Sequence, residues 1–265
     1  MPSPLSVVIV NYRTPDLTIK CVRSLIRNAV AAPEDIIVVE NASGDGSADA
    51  IAAAIECTLV HAAANGGYGA GINLGMRHAR NELVLCLNPD TYFTDSDVLG
   101  VERIFAQQPS LGLLGLDLRY PDGERQYSAR RDYSLLDVLL RRTPLGGWGA
   151  GRRLVDRHLM KDAWGGGIFS ADWVMGTGFV VRRAAFEAAG GMDTDFFLYM
   201  EDVDLCVRLR NAGWRVAAVP GIRLVHDHQR ASSGALLSVA ARRHLRALRT
   251  FMRKHPVPLL PRSSG

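Results

Sequence analysis

The sequence predicts an α/β fold built on a doubly wound, mostly parallel sheet with helices on both faces and a C-terminal helical extension. Apolar, β-branched runs such as "LSVVIVNY" (5–12) are typical of strands covered on both faces. Amphipathic segments such as "DLTIKCVRSLIRNA" (16–29) separate these runs. Strands that alternate with helices favour parallel pairing with right-handed crossovers, and this combination predicts the class.

The first third of the chain supplies the clearest elements. The helix over 16–29 places Leu17, Cys21, Leu25 and Ile26 on one face. A second buried strand lies in "DIIVVENASGDGS" (35–47), followed by a helix in "SADAIAAAI" (47–55) and a short strand in "CTLVHAA" (57–63). A helix over 71–80 then leads into the strand of "ELVLCLNPDTYF" (82–93), whose apolar part ends at Leu87.

The remainder of the chain is less regular. The stretch "LGLLGLDLRYPDGERQYS" (111–128) predicts a strand and a Pro-Asp-Gly turn, whereas 141–167, rich in Gly and Arg, predicts a mobile surface loop. A strand and a short helix are predicted in 171–193, and a helix-to-strand unit in 196–220. We find no repeat and no linker, so a single domain is expected.

Composition and charge exclude several classes of protein. The four cysteines form no CxxC pair, which argues against a zinc knuckle or a disulfide framework. No apolar run approaches the ~18 residues of a membrane span, and the N-terminus lacks a basic signal region, so a cytoplasmic protein is expected. From His228 onwards there are eight Lys/Arg and no acidic residue. This tail contains one aromatic residue, Phe251, so nucleic-acid binding is not expected.

Polar residues follow each of the first four predicted strands. Asn11 follows the first strand, Glu40 and Asn41 the second, "NGGYGAG" (65–71) the third, and Asn88 and Asp90 the fourth. Turn chemistry explains any one of these placements. Because the carboxyl ends of parallel strands share one edge of the sheet, all four together favour a ligand site.

Two of these loops suggest their chemistry. Asp90, held by Pro89, is a ligand of the type that Mg²⁺ and Mn²⁺ prefer, and His226 at the end of a later apolar strand is the candidate second ligand. The alternative for His226 is an ordinary core or surface histidine. "NGGYGAG" is neither a P-loop nor a complete GxGxxG pattern, so a dinucleotide cofactor is not expected.

A third candidate lies in "FFLYMEDVDLC" (196–206), where Glu201, Asp202 and Asp204 begin a helix after an apolar run. Acidic residues are favoured in a first helical turn, and this explains Asp204. A carboxylate beside apolar surface is also a candidate general base. Both interpretations of the Glu201-Asp202 pair remain open at this point.

The order of the motifs along the chain is informative. These motifs are, in order, "VVIVNYRTPD", "IIVVENASGDGS", "NGGYGAGINLGMRHA", "LNPDTYF", "MGTGFVVRRAAF", "FFLYMEDVDLCVRLRNAGWRV" and "LVH". Their order resembles that of family 2 glycosyltransferases with the GT-A fold. The similarity is to bacterial rhamnosyltransferases of surface-polysaccharide synthesis. It implies inverting transfer of a sugar from a nucleotide-diphosphate donor to a hydroxyl of a saccharide acceptor, expected to be lipid-linked. The expected donor is dTDP-L-rhamnose, with UDP- or GDP-linked sugars as the alternative.

The resemblance also implies roles for individual residues. Asp202 would be the catalytic base, with Glu201 as the second candidate, and Asp90 and His226 would hold Mg²⁺ or Mn²⁺ in a variant of the DxD motif in which Asn88 replaces the first carboxylate. The remaining donor contacts would be Asn11, Tyr12, Glu40, Asn41, Asn65, Gly67 and Asn88. The acceptor contacts would be Trp173, Gly176, Thr177 and Gly178.

The implied domain covers 1–227, with a nucleotide-binding half over about 1–95 and an acceptor half over about 96–227, followed by a basic tail over 228–265.

Two other functions are the alternatives to sugar transfer. A nucleotidyltransferase would carry a glycine-rich basic loop after the first strand, and "NYRTPDLT" has no glycine. A catalytically silent sugar- or membrane-binding scaffold would not require both Asp90 and Asp202.

The tail predicts a basic amphipathic helix over 236–255. Leu237, Ala241, Leu245, Leu248 and Met252 recur at helical spacing, and most of the arginines lie off that stripe. One interpretation is a helix packed on the domain with a solvated basic flank. The other is a helix that binds an anionic membrane surface, which would make the protein peripheral on the inner face of the cell membrane.

Overall fold

The computed structural model describes residues 5–227 and 239–261, with the backbone alone described at 142 and 239–241. Of the predicted tail, Leu237 and the rest of 228–238 and 262–265 lie outside the described residues. The strands are β1 (Leu5–Asn11), β2 (Ile36–Glu40), β3 (Thr58–His61), β4 (Leu83–Leu87), β5 (Thr91–Tyr92), β6 (Leu111–Arg119), β7 (Ala129–Arg130), β8 (Phe169–Ser170), β9 (Trp173–Val174), β10 (Gly178–Arg182) and β11 (Arg215–His226). The helices are α1 (Pro15–Arg27), α2 (Ser47–Ala54), α3 (Tyr68–Met76), α4 (Val101–Gln107), α5 (Leu135–Arg142), α6 (Gly149–His158), α7 (Arg183–Ala188), α8 (Glu201–Asn211) and α9 (Val239–Lys254).

One sheet organises the molecule, in the order β3-β2-β1-β4-β10-β6-β11-β5, with β8 also paired to β11. The strands β1 to β4 pair in parallel, as do β6 and β11. Every residue of β1, β2 and β4 is buried, because helices cover both faces of the sheet. The predicted fold class, a mostly parallel sheet between helices with a C-terminal helix, is therefore confirmed.

The strand β10 runs antiparallel between β4 and β6. Its first residue, Gly178, lies opposite Leu87, the last residue of β4. The Asn88 amide accordingly donates to the Thr177 carbonyl at 2.9 Å. This reversal places the segment before β10 directly beside the loop that carries Asp90.

The segment 141–167 is not the surface loop that its composition predicts. It contains the end of α5, all of α6 and two short 3-10 turns, Pro144–Gly147 and Lys161–Gly165. His158 and Trp164 are each 2% exposed, so this segment covers part of the core. Most of the described glycines and arginines of this segment are exposed, so its composition hides the buried face.

Two further predictions change in detail. The helix expected over 71–80 begins at Tyr68 and ends at Met76. Among the described side chains of α9, the buried ones are Ala247, Leu248, Thr250 and Phe251, whereas Leu245 and Met252 of the predicted stripe are 44% and 42% exposed. The helix α9 thus packs on the domain through these side chains, and binding of its basic flank to a membrane stays a prediction. Within the described residues, no helix is both long and apolar enough to cross a bilayer.

Candidate active site

The ends of β1 and β2 are joined by a buried network around Asn11. Its amide nitrogen donates to Glu40, and its oxygen accepts from the Thr18 hydroxyl at 2.9 Å. The other Glu40 oxygen accepts from the Ser43 amide at 2.6 Å. Asn11 is completely buried and Glu40 is 5% exposed. Each polar side-chain atom of the pair has a protein partner, so the pair fixes this edge from within, and its contact with a donor stays a prediction.

The exposed residue at this edge is Tyr12, which is 42% exposed. The Arg13 guanidinium lies 5.3 Å from the centre of the Tyr12 ring and donates through Nε to the Ser43 carbonyl at 3.1 Å. Arg13 adopts a positive φ of 58°, which turns the chain sharply after β1. An aromatic face and a cation are thereby presented to solvent at the edge of the sheet.

The loop after β3 is held against β2 by amide contacts. Asn41 donates to the Asn65 side-chain oxygen at 3.1 Å and to the Gly67 carbonyl at 3.2 Å. Gly67 has a φ of +88°, and a Cβ there would lie 2.0 Å from the Phe197 carbonyl oxygen. This loop is thus locked between β2 and the segment that precedes α8, and only glycine fits at its contact.

Asp90 and His226 lie together, as the sequence predicts. The His226 Nε2 is 3.2 Å from the Asp90 Oδ2, and Nδ1 is 2.7 Å from the Gln126 side-chain oxygen. The Gln126 amide nitrogen donates to the His226 carbonyl at 3.0 Å, which fixes the amide so that its oxygen faces Nδ1. In neutral His226 the proton therefore lies on Nδ1, and Nε2 presents a lone pair towards a carboxylate.

This arrangement fits a divalent cation. An imidazole lone pair facing a carboxylate oxygen is satisfied when both share a cation, and the buried Oδ1 of Asp90 has no hydrogen-bond partner. The described residues hold no group of three or more His, Cys, Asp or Glu able to bind a metal. Two protein ligands suit an ion that completes its shell with water and phosphate oxygens.

Asp202 is held at the start of α8 by backbone amides. Its Oδ2 accepts from the Gly176 amide at 2.8 Å, and Oδ1 accepts from its neighbour Val203 at 2.8 Å. The Gly176 carbonyl accepts from the Tyr68 hydroxyl at 2.8 Å. Burial raises the pKa of Asp202, while the backbone hydrogen bonds and the charge of Arg130 oppose that rise. Asp202 keeps partial exposure, so a ligand can reach it.

Glu201 lies in a drier position than its neighbour. It is 6% exposed, and its buried Oε2 has no hydrogen-bond partner. Burial and then the charge of Asp202 raise the pKa of Glu201 to about 8. Burial and mutual repulsion therefore favour one proton on this pair, and the two backbone amides that Asp202 accepts from favour its ionised form. Two adjacent carboxyl groups with separated pKa values typically mark the acid and base assignments of a site.

The carboxylate pair and the Asp90 loop are joined by one short segment. Gly176 binds Asp202, and the next carbonyl, that of Thr177, binds the Asn88 amide. Trp173 is not at this surface, since it is 5% exposed, stacks on Tyr133 and donates its indole N–H to the Arg131 carbonyl at 2.9 Å. Gly178 is buried against Leu224. Of the predicted acceptor contacts, Gly176 and Thr177 adjoin the site, and Trp173 and Gly178 support it from behind.

Sequence reasoning missed three residues of this region. Gln126 orients His226, Tyr68 holds the Gly176 carbonyl, and Arg130 acts electrostatically on Asp202. Tyr68 lies inside the glycine-rich stretch, so its position before a helix was visible. Nothing in the local sequence marks Gln126 or Arg130, because they act on His226 and Asp202, which are 100 and 72 residues away.

Three comparisons with known proteins bear on this site. The family model described as "Glycosyltransferase like family 2" matches residues 2–250. A Mycobacterium tuberculosis protein, N-acetylglucosaminyl-diphospho-decaprenol L-rhamnosyltransferase, is 29% identical over 251 residues, covering 88% of this chain and 79% of its own. Rhamnosyltransferase WbbL of Escherichia coli is 28% identical over 175 residues, covering 64% of this chain and 61% of its own.

Solved structures show the same fold. The mannosyltransferase PcManGT of Pyrobaculum calidifontis, in complex with GDP-Man and Mn²⁺, superposes with a TM-score of 0.64 at 19% identity, covering 97% of this chain and 68% of that one. GalNAc-T7 with UDP, GalNAc and Mn²⁺ gives a TM-score of 0.62 at 13% identity, covering 92% and 47% of the two chains. Sequence motifs, sheet order and family match agree: the chain belongs to the family 2 glycosyltransferases and has the GT-A fold.

Proposed function

We propose that this enzyme transfers a sugar, L-rhamnose, from a nucleotide-diphosphate donor to a hydroxyl of a lipid-linked saccharide, with inversion at the anomeric carbon. The observation that carries the proposal is the link between Asp202 and the loop of Asp90: Asp202 accepts from the Gly176 amide, and the adjacent Thr177 carbonyl accepts from the Asn88 amide, two residues before Asp90. It holds a candidate base and a candidate cation ligand in fixed relation at the carboxyl edge of one sheet. Such preorganisation is what group transfer between two substrates requires.

The donor would bind along the ends of β1, β2 and β3. Tyr12 and Arg13 offer an aromatic face and a cation to the nucleoside. Asn41 and Asn65 fix the loop beside it, and Asn11 with Glu40 supports that edge from below. Asp90 and His226 would hold a divalent cation, Mg²⁺ or Mn²⁺, whose charge would stabilise the departing nucleotide diphosphate.

Asp202 would act as the general base. Its two backbone hydrogen bonds and its place in the first turn of α8 favour the ionised form, while burial keeps it basic enough to accept a proton. The acceptor hydroxyl would give its proton to Asp202 as its oxygen attacks the anomeric carbon from the side opposite the diphosphate. Glu201, protonated at neutral pH, would carry no charge at that step.

The choice of rhamnose and of a lipid-linked acceptor rests on the relatives. A mycobacterial relative that matches most of the chain bears the name of a rhamnosyltransferase acting on a decaprenyl-diphosphate-linked N-acetylglucosamine, and the E. coli relative is also named a rhamnosyltransferase. The structural neighbours carry GDP-Man in one case and UDP with GalNAc in the other. UDP- and GDP-sugars are therefore the controls for the donor.

The test is a thermal-shift screen followed by a transfer assay. dTDP-rhamnose, UDP-GlcNAc, UDP-GalNAc and GDP-mannose are each titrated with and without Mn²⁺, and a donor at 100 times its Kd stabilises by about 2.7 kcal/mol. We expect the largest shift with dTDP-rhamnose plus Mn²⁺, and transfer of its sugar to a prenyl-diphosphate-linked N-acetylglucosamine. A larger thermal shift with another donor, together with transfer of its sugar, would contradict rhamnose as the transferred sugar. Absence of transfer from every donor would contradict the proposed function.

A further inference from the structure

A cluster of cationic and aromatic side chains lies behind the Glu201-Asp202 pair, outside the roles assigned above. Arg130 is 8% exposed, and its guanidinium donates to the Ala129 carbonyl at 3.0 Å and contacts the Met175 sulfur at 3.5 Å. Its Nε has no partner. In the described part of the chain, no carboxylate lies within hydrogen-bond distance of Arg130.

Arg141 adds a second uncompensated cation to this cluster. Its Nη1 lies 3.3 Å from the Tyr133 hydroxyl and 3.3 Å from the His158 Nε2. Burial and the charges of Arg141 and Arg130 lower the pKa of His158 to about 3, so His158 stays neutral and brings no further charge. No described carboxylate pairs with Arg141 either. Arg130 is a buried cation without an acidic partner and Arg141 is an exposed one, and this concentration of positive charge favours an anion beside them.

A cavity opens at this cluster. It has a volume of about 220 Å³ and is lined by Tyr133, Val138, Arg141, Met200, His244 and Leu248. It therefore lies between α5, the start of α8 and α9. Met200, which lines the cavity, directly precedes the Glu201-Asp202 pair, so the cavity lies beside the start of α8.

The walls of the cavity have two chemical characters. Arg141, His244 and the Tyr133 hydroxyl form a polar, cationic side, whereas Val138, Met200 and Leu248 form an apolar side. Apolar side chains also lie exposed on and just after α5. Leu139 is 52% exposed, Leu145 65% and Trp148 81%. An anionic group attached to a long apolar chain matches both the cavity and this neighbouring surface.

We propose that the cavity between α5 and α9 binds the diphosphate of the lipid-linked acceptor, with Arg141 as its principal contact and the first prenyl units against Val138, Met200 and Leu248. The sugar attached to that diphosphate then extends past Met200 to Asp202. This inference rests on the proposed function for the class of acceptor. It assigns to α5 and α9 the recognition of the lipid-phosphate part, which the donor edge does not contact.

Binding of a short prenyl diphosphate tests the site without requiring sugar transfer. Geranyl diphosphate, geraniol and inorganic pyrophosphate are titrated by calorimetry into the full chain. We expect geranyl diphosphate to bind more tightly than pyrophosphate, and geraniol to bind weakest, because the site needs both the anion and the chain. Arg141→Ala should weaken geranyl diphosphate binding by about 10-fold or more, the range of a lost charge-assisted hydrogen bond. Arg141→Lys should retain part of the affinity.

Two matched variants separate this site from its alternatives. Arg152, exposed on α6 and within 3.8 Å of Asp156, supplies a control, and Arg152→Ala should bind geranyl diphosphate like the wild type. Asp90→Ala should also retain binding, whereas its loss there would place the diphosphate in the donor site and overturn the proposal. Unchanged affinity in Arg141→Ala, or equal affinity for pyrophosphate and geranyl diphosphate, would overturn it as well. Absence of sugar transfer would contradict the proposed function and leave these affinities readable.

Discussion

Replacing Glu201 with glutamine should leave the enzyme active and make its stability less dependent on pH. The pKa of Glu201 is raised to about 8 by burial and by Asp202, so at pH 7 the wild-type side chain already carries its proton. Glutamine is close to that neutral form in shape and charge. We therefore expect Glu201→Gln to keep its turnover within a few-fold at pH 7.

The effect on stability follows from the same shift. A carboxyl group whose pKa is higher in the folded than in the unfolded chain stabilises the fold fully below the unfolded value, and this contribution is lost as pH rises through the folded value. For Glu201 the interval runs from the ordinary glutamate pKa of 4.5 to a pKa of about 8 in the folded protein. At about 1.4 kcal/mol per pKa unit the upper limit is near 5 kcal/mol. Partial exposure of Asp202 admits water, so a loss of roughly 2 to 5 kcal/mol is expected.

Urea denaturation at pH 5, 7 and 9 measures this difference. The free energy of unfolding of the wild type should fall across this range relative to that of Glu201→Gln, so the variant becomes the more stable protein at pH 9. Parallel pH profiles for the two proteins would show that Glu201 ionises normally. Loss of activity in Glu201→Gln together with full activity in Asp202→Asn would reverse the two roles.

Two further predictions concern the metal and the donor loop. Asp90→Ala and His226→Ala should each weaken Mn²⁺-dependent nucleotide binding by about 10-fold or more without unfolding the protein, as measured by calorimetry with and without EDTA. If the wild-type protein binds the nucleotide equally well in excess EDTA, the metal has no part in the mechanism. Gly67→Ala should lose about 2 kcal/mol or more in urea denaturation, because its Cβ would overlap the Phe197 carbonyl. Gly44→Ala is the control, because Gly44 also has a positive φ (+65°) but nothing lies within 4 Å of the added Cβ. Its free energy of unfolding should fall by about 1 kcal/mol. Equal losses in the two variants would refute the steric explanation.

The edge formed by the ends of β1, β2 and β4 was predictable from the sequence because it depends on local signals. Each of β1, β2 and β4 is a short apolar run that ends in a polar residue, and parallel strands bring those ends together. Their parallel pairing could be inferred from the helices between the strands. The contact between Asp90 and His226 also followed, since both end strands of the same sheet.

The acceptor side was less predictable because its signals are not local. The apolar run of β10 gives no information on the direction of the strand within the sheet. Its antiparallel pairing with β4 could therefore not be predicted from the sequence. Trp173, an acceptor contact implied by the resemblance, is buried, and its indole N–H donates to the Arg131 carbonyl, a contact that the local sequence does not indicate. The uncompensated charge of Arg130 appears only when the neighbouring segments are in place. The buried face of α9 likewise depends on the surface of the domain against which the helix packs, and the sequence of the helix alone does not indicate it.

The rate of sugar transfer by Asp202→Asn, measured beside its donor affinity, tests the central claim most directly. Labelled sugar is followed from the nucleotide donor into the organic phase that contains the lipid-linked acceptor. The account predicts a loss of about 100-fold or more in turnover with donor Kd nearly unchanged, as expected for a lost general base. Near-normal turnover in Asp202→Asn would contradict the account and reduce Asp202 to a helix-capping residue.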